Sequence, residues 1–311
     1  MAKAEKLIRN KRNRIRMTTE DKVYQTIIYI LVSFFTLLCL FPLLYVVGMS
    51  FASKVELVEK RNFVIIPMHP TIEGYKYILK QANFARGFFI SVCRTLLGVC
   101  AMLVFVVPGG YIMAKHEIPG RKWYMLFFIT TMLIGGGTIP AYMLIKSLGL
   151  LDSFWVYIVP AFGSTYNMLI VKIFVEGMPQ DIIESADLDG ATEVQKMFYI
   201  AIPLLVPTIC ALSLFAAVGH WNSWFDAMLY VKTPSKQPVS YLIQQLFQRT
   251  VQSTGDQVDD INRMNEQLYR AGSDMTVKMA CVVVAMLPIM CVYPFLQKYF
   301  IFGMYTGSVK G

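Results

Sequence analysis

Charge is scarce in this 311-residue chain and is missing altogether from long stretches of it. Only 16% of the residues are charged, whereas soluble globular domains carry about 25%. Six runs contain no Asp, Glu, Lys or Arg: Val23–Ser53, Thr95–Ala114, Trp123–Ile145, Ser153–Val171, Met197–Phe225 and Met279–Gln297. A helix crosses the hydrocarbon layer with about 20 apolar residues, so each run is long enough to span it. The pattern excludes a cytosolic enzyme, a secreted disulfide scaffold and a nucleic-acid-binding domain, and it predicts an all-α integral membrane protein with six transmembrane helices.

Residues that carry catalytic or metal chemistry are also few. The three histidines are far apart in the sequence, and the six cysteines form no C-x-x-C pair. The sequence contains no zinc-protease, hydrolase or P-loop motif. We therefore expect no catalytic residue, no metal site and no cofactor on this chain, so that any ATP has to be bound by a partner.

Basic residues concentrate at the start of the chain. Eight of the 29 Lys and Arg residues lie within residues 1–22, directly before the first apolar run. Such an arm can bind nucleic acid, but in front of a membrane span it favours a cytosolic N-terminus. The first run is also too long for the apolar region of a cleaved signal peptide. Six spans from residue 23 to residue 302 then place both termini in the cytosol, with longer outer loops at 51–86 and 226–278.

Two features inside the runs depart from a regular apolar helix. Arg94 lies a turn or two inside the outer end of the second span, where it either snorkels to the headgroups or faces a polar pathway. The third span contains the sequence GGGTIP at Gly135–Pro140, which disfavours a continuous helix. A helix broken beside a cavity and a site of close helix packing both fit this run.

The loop between the fourth and fifth spans, about residues 177–199, predicts two short helices around a sharp corner. Pro179 suits a first helical position, and Gly190 suits a left-handed helix end. Thr192 and Gln195 have the spacing of a capping box at the start of the second helix. The apolar side chains expected to form a face for a partner are Ile182, Ile183, Ala186 and Leu188.

The same loop resembles the EAA loop of ABC importer permeases. The pattern of that family is Glu-Ala-Ala, two residues, Asp-Gly-Ala, eight residues, and Ile-x-Leu-Pro. This chain has Glu184-Ser185-Ala186, Asp189-Gly190-Ala191 and Ile200-Ala201-Ile202-Pro203 at the same spacing. Ser185 and Ile202 are the departures, and both are mild in size.

The resemblance implies a type I ABC importer architecture, in which this loop forms a cytosolic coupling helix seated in a groove of an ABC ATPase dimer. ATP and Mg would then be bound by that dimer. The residues that would carry the coupling are Glu184, Ser185, Ala186, Asp189, Gly190, Ala191, Ile200 and Pro203. Glu184 and Asp189 either pair with basic groups of the ATPase or merely solvate the loop.

Further segments are similar to the carbohydrate-uptake branch of that family, in the subunit resembling the smaller maltose-transporter permease. They are Ile118–Lys122, Gly149–Asp152, Trp221–Trp224 and the ending from Gln297. Arg94 and the GGGTIP run resemble the sub-branch for aldouronate and other acidic or complex oligosaccharides. The resemblance implies half of a pathway for a sugar or oligosaccharide, completed by a second permease subunit and supplied by an extracellular or periplasmic solute-binding protein.

Roles outside the coupling loop follow from the same resemblance. The C-terminal tail 303–311, with Gly307 and Lys310, would reach between the ATPase subunits, against the alternative of a frayed end. The outer loop 226–278 would help to dock the solute-binding protein. The candidate residues of the substrate pathway are Arg94, Gly136, Trp221 and Asn222.

Other classes of function remain open at this point. An ABC permease for phosphate, polyamine or peptide would share the coupling loop, although the tail and the Trp221-Asn222 segment favour sugar. A proton- or sodium-driven secondary transporter usually needs buried acidic residues, and every Asp and Glu lies outside the six runs. A membrane-embedded enzyme would need a convergent cluster of His, Asp or Cys, which the sequence does not suggest.

Overall fold

The described part of the chain is helical. The computed structural model describes residues 18–61, 63–252 and 274–308, and no strand occurs within those ranges. The helices in chain order are α1 (Thr19–Phe51), α2 (Lys54–Glu59), α3 (Glu73–Lys80), α4 (Ala82–Ala114), α5 (Arg121–Leu133), α6 (Thr138–Ser147), α7 (Thr165–Glu176), α8 (Gln180–Leu188), α9 (Glu193–Gln195), α10 (Ile202–Asn222), α11 (Phe225–Tyr230), α12 (Val239–Gln252) and α13 (Asp274–Ser308). A π-helical segment, Lys196–Ala201, joins α9 to α10.

The membrane spans follow the apolar runs. Five segments are long and apolar enough to cross a membrane: Thr19–Phe51, Ala82–Ala114, Phe154–Glu176, Glu193–Asn222 and Met275–Pro294. Helices α5 and α6 also pass this test when they are taken together as a bent pair. Counting that pair as one span makes six, in agreement with the predicted all-α, six-span architecture.

Helix α4 lies at the centre of the main hydrophobic core. Val106 of α4 packs in one cluster with Val171 of α7 and Leu205 of α10. Gly110 allows α4 to approach α7 closely, because a Cβ at this position would lie 2.6 Å from Cγ1 of Val171. In contrast, α1 leaves nearly all of its apolar side chains exposed, as expected of a helix that is apolar on all sides and faces the membrane.

The third span is broken at its glycines. Helix α5 ends at Leu133 and α6 begins at Thr138, and their axes are bent by 111°. Gly137 has φ +80°, a left-handed conformation that favours glycine. A Cβ on Gly135 or Gly137 would meet no described atom within 4 Å. The break in the helix is therefore confirmed, a cavity beside it stays a prediction, and close packing of these glycines is not found within the described chain.

The fourth span differs from the single helix that its apolar run suggested. The stretch Phe154–Phe162 forms two 3-10 turns, and the α-helix begins only at Thr165. Pro160 supplies no backbone donor, and the Ser164 side chain caps the new helix by accepting a hydrogen bond from the Asn167 backbone at 3.4 Å. Helix α7 then continues past the end of the run to Glu176.

Some of the predicted segments lie outside the described residues. These are positions 1–17 of the basic arm, 253–273 of the long outer loop, and 309–311 of the tail, including Lys310. The tail was expected to begin at residue 303, but helix α13 continues to Ser308, so the backbone at Gly307 is helical.

Candidate functional site

The EAA-like segment forms the predicted corner. Helix α8 ends at Leu188, Gly190 follows with φ +75°, and α9 starts at Glu193. The side chains of Thr192 and Gln195 form the expected capping box. Pro179 is the N-cap residue, one position before the predicted place. No described atom lies within 4 Å of a Cβ added at Gly190, so the requirement for glycine there comes from the backbone conformation and not from crowding.

The corner closes the C-terminal end of α8 through its own backbone. The Gly190 N–H donates to the Asp187 carbonyl at 3.0 Å, and the Ala191 N–H donates to the Ala186 carbonyl at 2.9 Å. These bonds satisfy carbonyls that a helix end otherwise leaves unpaired. Helix α8 is therefore held as a defined unit at the surface.

The exposed surface of α8 combines charge with one large apolar residue. Glu184, Ser185 and Asp189 are exposed, and Glu184 forms no ion pair with any residue that the structure describes. Leu188 is 89% exposed, whereas Ala186 is buried against the rest of the chain. The predicted apolar face is therefore divided: Leu188 and Ile182 point outward, and Ala186 anchors the helix.

A cleft of about 320 Å³ lies beside the corner. The predicted coupling residues that line it are Asp189, Gly190, Ala191 and Ile200. Pro203 stands apart from the cleft as the second residue of α10. The structure thus brings half of the predicted coupling residues together around one concave surface.

Behind α8 lies an ion network that sequence reasoning missed, which we call the corner clamp: Tyr111, Lys115, Asp187, Glu193 and Lys196. The Lys196 ammonium, 6% exposed, pairs with the Asp187 carboxylate and lies 2.5 Å from Oε1 of Glu193. Oε2 of Glu193 lies 2.7 Å from Nζ of Lys115 and accepts a hydrogen bond from the Tyr111 hydroxyl at 2.9 Å. Only the spacing of Glu193 and Lys196, one helical turn apart, signals part of it in the sequence.

The clamp keeps Lys115 charged. Burial alone would lower the pKa of Lys115, but its hydrogen bond to Glu193 and the negative charge of that carboxylate raise the pKa above its usual value. The ammonium therefore stays protonated across the physiological range.

A second cluster ties together the short loop before α5 and the end of α7. Glu176 pairs with Arg121 and, at 2.8 Å, with Nζ of Lys172. Nε2 of His116 lies 3.7 Å from the same carboxylate.

We call this side of the molecule, with Lys115–Arg121 and Gly177–Ala201, the corner end, and the side with Gly149–Phe154 and Trp224–Gln237 the far end.

Arg94 is buried and belongs to an ion pair. Its side chain is 1% exposed and pairs with Asp226, which follows it by 132 residues. Its Nη1 donates to the Ser223 carbonyl at 3.0 Å, and its Cζ lies 4.3 Å from the ring centre of Tyr157. Snorkelling is therefore wrong, because α11 brings a carboxylate over the buried guanidinium, and the role of Arg94 in a substrate pathway stays a prediction. We call Arg94 and Asp226 the far-end pair.

The other pathway candidates fall into two environments. Trp221 is buried, donates from Nε1 to the Ala285 carbonyl at 2.9 Å, and packs edge-on against Phe88. Trp221 therefore joins the second, fifth and sixth spans, and its role in the pathway stays a prediction. Gly136 and Asn222 are exposed. The four candidates therefore differ in exposure, and their shared role in a pathway stays a prediction.

Asp152, the last residue of the Gly149–Asp152 motif, anchors the far end. Its carboxylate accepts hydrogen bonds from the Thr233 backbone at 2.9 Å and from the Thr233 hydroxyl at 2.6 Å, and from the Lys232 backbone at 3.1 Å. The hydrogen bond from the Thr233 hydroxyl, with the others, holds the pKa of Asp152 below its usual range. The motif thus fixes the loop after α11.

Known proteins show the same architecture. A solved structure described as a bacterial ABC transporter involved in the import of the acidic polysaccharide alginate superposes with a TM-score of 0.81 and 26% identity, over 91% of this chain and 98% of that one. Protein LplC of Bacillus subtilis (strain 168) is 38% identical over 272 residues, 87% of this chain and 89% of its own length.

Permease protein YtcP of the polygalacturonan/rhamnogalacturonan transport system, from the same strain, is 35% identical over 94% of this chain and 100% of its own length. The model of a family described as "Binding-protein-dependent transport system inner membrane component" matches residues 106–304, which include the corner and most of the spans. With its helical fold and its membrane spans, the chain therefore belongs to the family of inner-membrane components of binding-protein-dependent transport systems.

Proposed function

We propose that this chain is a permease subunit of an ATP-driven importer of oligosaccharides, with acidic oligosaccharides as the preferred class. The observation that carries the proposal is the exposed corner of α8 and Gly190 on a chain of the binding-protein-dependent family. In the proposed assembly, a second permease subunit completes the pathway. An ABC ATPase dimer binds Mg and hydrolyses ATP, and a solute-binding protein delivers the cargo.

The surface of α8 supports docking on the ATPase. Glu184 and Asp189 are exposed carboxylates on either side of Leu188, a large apolar side chain almost fully open to solvent. An apolar anchor with a polar rim is the usual composition of a protein interface. We propose that Leu188 enters the ATPase groove, and that the Glu184 carboxylate pairs with a basic group of the ATPase.

The orientation follows from the docking proposal and from charge. An ATPase that uses cellular ATP requires the corner end to be cytosolic. Lys115, Arg121 and Lys172 lie at that end, and an excess of basic residues near span ends favours the cytosolic side. With six spans, the N-terminus and the C-terminus then both lie in the cytosol.

The cargo is proposed from the relatives. One relative, 35% identical, is named for polygalacturonan and rhamnogalacturonan transport, and the superposing transporter imports an acidic polysaccharide. Gly136, exposed at the break of the third span, and Asn222, exposed at the end of α10, are proposed as pathway residues. The tail, including Gly307 and Lys310, is proposed to contact the ATPase.

The first experiment is purification of the tagged chain in mild detergent, with co-purifying proteins identified by mass spectrometry. We expect a second six-span permease and an ABC ATPase at matching stoichiometry. A Glu184→Ala variant should reduce the recovery of ATPase because it removes the proposed pairing carboxylate. Glu117→Ala is the matched control, because Glu117 is an exposed glutamate at the same end with no ion pair among the described residues.

The cargo is tested with the solute-binding protein of the same system. Its affinity for acidic and neutral oligosaccharides of equal length is measured by calorimetry, followed by uptake into proteoliposomes. Preference for the acidic series supports the proposal, and equal affinity for both contradicts the acidic class. Recovery of the chain alone or as a homodimer, without an ATPase, would contradict the importer itself.

A further inference from the structure

The corner clamp connects α8, α9 with the π-helical segment after it, and the end of α4. The connection runs through the Lys196 ammonium and the Glu193 carboxylate. Lys196 pairs with Asp187 of α8 and with one oxygen of Glu193. The other oxygen of Glu193 contacts Lys115 and Tyr111 at the end of α4. A continuous series of charged contacts therefore runs from α8, the helix proposed to dock on the ATPase, to the central helix of the core.

The buried ammonium makes this connection stiff. Lys196 is 6% exposed, and a buried charge is strongly destabilised when its partners move away. When α8 is displaced together with Asp187, the Lys196 ammonium must therefore move with it, and Glu193 must follow the ammonium. Glu193 also accepts two further hydrogen bonds from α4 and the residue after it, so it transmits the displacement instead of rotating away.

The backbone offers a less direct route. From α8 it turns at Gly190 with positive φ, passes through the π-helical segment Lys196–Ala201, and enters α10 one residue before Pro203. Segments of π-helix interrupt the regular α-helical hydrogen bonds and are frequent at functional sites, and proline supplies no donor. This route also leads only into α10, whereas the clamp reaches α4.

We infer that Glu193 and Lys196 are positioning residues that pass the movement of the docked α8 directly to α4 during transport, an inference that rests on the proposed function. Helix α4 has 33 residues, a length of about 50 Å at 1.5 Å per residue. It extends from the clamp past the far-end pair, so one helix connects the corner end with the loop that follows α10. Coupling between distant sites can be carried by a rigid secondary element that both sites contact.

The test uses the complete transporter in proteoliposomes, with ATP hydrolysis and oligosaccharide uptake measured on the same vesicles. Glu193→Gln and Lys115→Met are each expected to lower uptake per ATP hydrolysed by about fivefold or more. The ATPase rate, the recovery of ATPase and the melting temperature should stay near wild type. Because both variants break the same contact, the double variant should be no worse than the more severe single variant.

Glu117→Gln is the control, since it removes an exposed glutamate from the same end of the molecule. Unchanged uptake per ATP in both single variants would overturn the inference, and so would losses that multiply in the double variant. Loss of bound ATPase in either variant would overturn it as well, because the defect would then be in docking. If the wild-type chain itself shows no ATPase and no ATP-driven uptake, it is the proposed function that fails.

Discussion

Two ion networks hold α4, one at its C-terminal end and one about three turns inside its N-terminal end, and they differ in their exposure to water. In the far-end pair, Arg94 is 1% exposed, and Asp226, its single carboxylate partner among the described residues, is 26% exposed. In the corner clamp, the lysine is buried, but the carboxylates of Asp187 and Glu193 are 53% and 54% exposed. Removal of the carboxylate at the far end leaves an uncompensated buried charge, whereas the buried Lys196 at the corner end keeps Asp187 when Glu193 is neutralised. The comparison suggests that the far-end pair maintains the fold and that the clamp serves movement.

The largest effect is expected at the far-end pair. Asp226→Asn leaves the Arg94 guanidinium buried without its counter-charge, and breaking such a pair costs about 3–5 kcal/mol. The free energy of unfolding, measured by chemical denaturation in detergent, should fall by that amount. The double variant Arg94→Met/Asp226→Leu should recover most of the loss, because two apolar residues replace the pair. If Asp226→Asn were as stable as the wild type, the view that the ion pair of Arg94 and Asp226 maintains the fold would be wrong.

A second prediction concerns the part of α4 between the two networks. In Gly110→Ala the new Cβ would lie 2.6 Å from Val171 and 2.8 Å from the Met168 backbone carbonyl, so α4 and α7 must separate. Overpacking of this kind costs about 1–3 kcal/mol. Gly109→Ala is the matched control, since the three atoms nearest its Cβ all belong to the flexible Met168 side chain, the first at 3.1 Å. Equal melting temperatures for the two variants would be inconsistent with the close approach of these helices.

At the corner end, Gly190 is predicted to matter for its conformation. A leucine at φ +75° pays about 1–2 kcal/mol for the left-handed backbone, whereas asparagine adopts that region more readily. Gly190→Leu should therefore distort the corner and reduce ATP-driven uptake, with the protein still in the membrane. Gly190→Asn should keep most of the uptake. Equal uptake by the two variants would argue against a functional role for this backbone geometry.

The smallest effect on stability is expected for Glu193→Gln. Its carboxylate is about half exposed, and ion pairs in such positions contribute about 0–1 kcal/mol. The free energy of unfolding should remain within about 1 kcal/mol of wild type, although uptake per ATP falls. A loss as large as that of Asp226→Asn would remove the contrast between the two networks.

The corner could be predicted in detail because its determinants are local. Gly190, Thr192 and Gln195 act within a few residues of one another, and their conformations follow from short-range hydrogen bonds and from the sterics of the backbone. The break at Gly135–Pro140 belongs to the same class, although the sequence left its two interpretations open. Which side of α8 is buried and which is exposed was harder to predict, because the burial of Ala186 depends on packing against other helices.

The partners of the charged residues could not be predicted in this way. Asp226 follows Arg94 by 132 residues, and Glu193 follows Tyr111 by 82. No periodicity in the sequence connects positions that far apart. Arg94 was chosen as a pathway candidate because it is a charge inside a span, and Trp221 because of the family resemblance, and the structure buries both of them between helices.

The sequence by itself determined the six apolar spans and the capped corner, because chain length in hydrocarbon and local backbone geometry depend on neighbouring residues. Only the tertiary structure decided that Arg94 belongs to a buried pair and that Glu193 and Lys196 bind α8 to α4. The physical reason is that a charge in a helical bundle is satisfied by whichever opposite charge the packing brings within reach, and helix packing is a property of the whole chain.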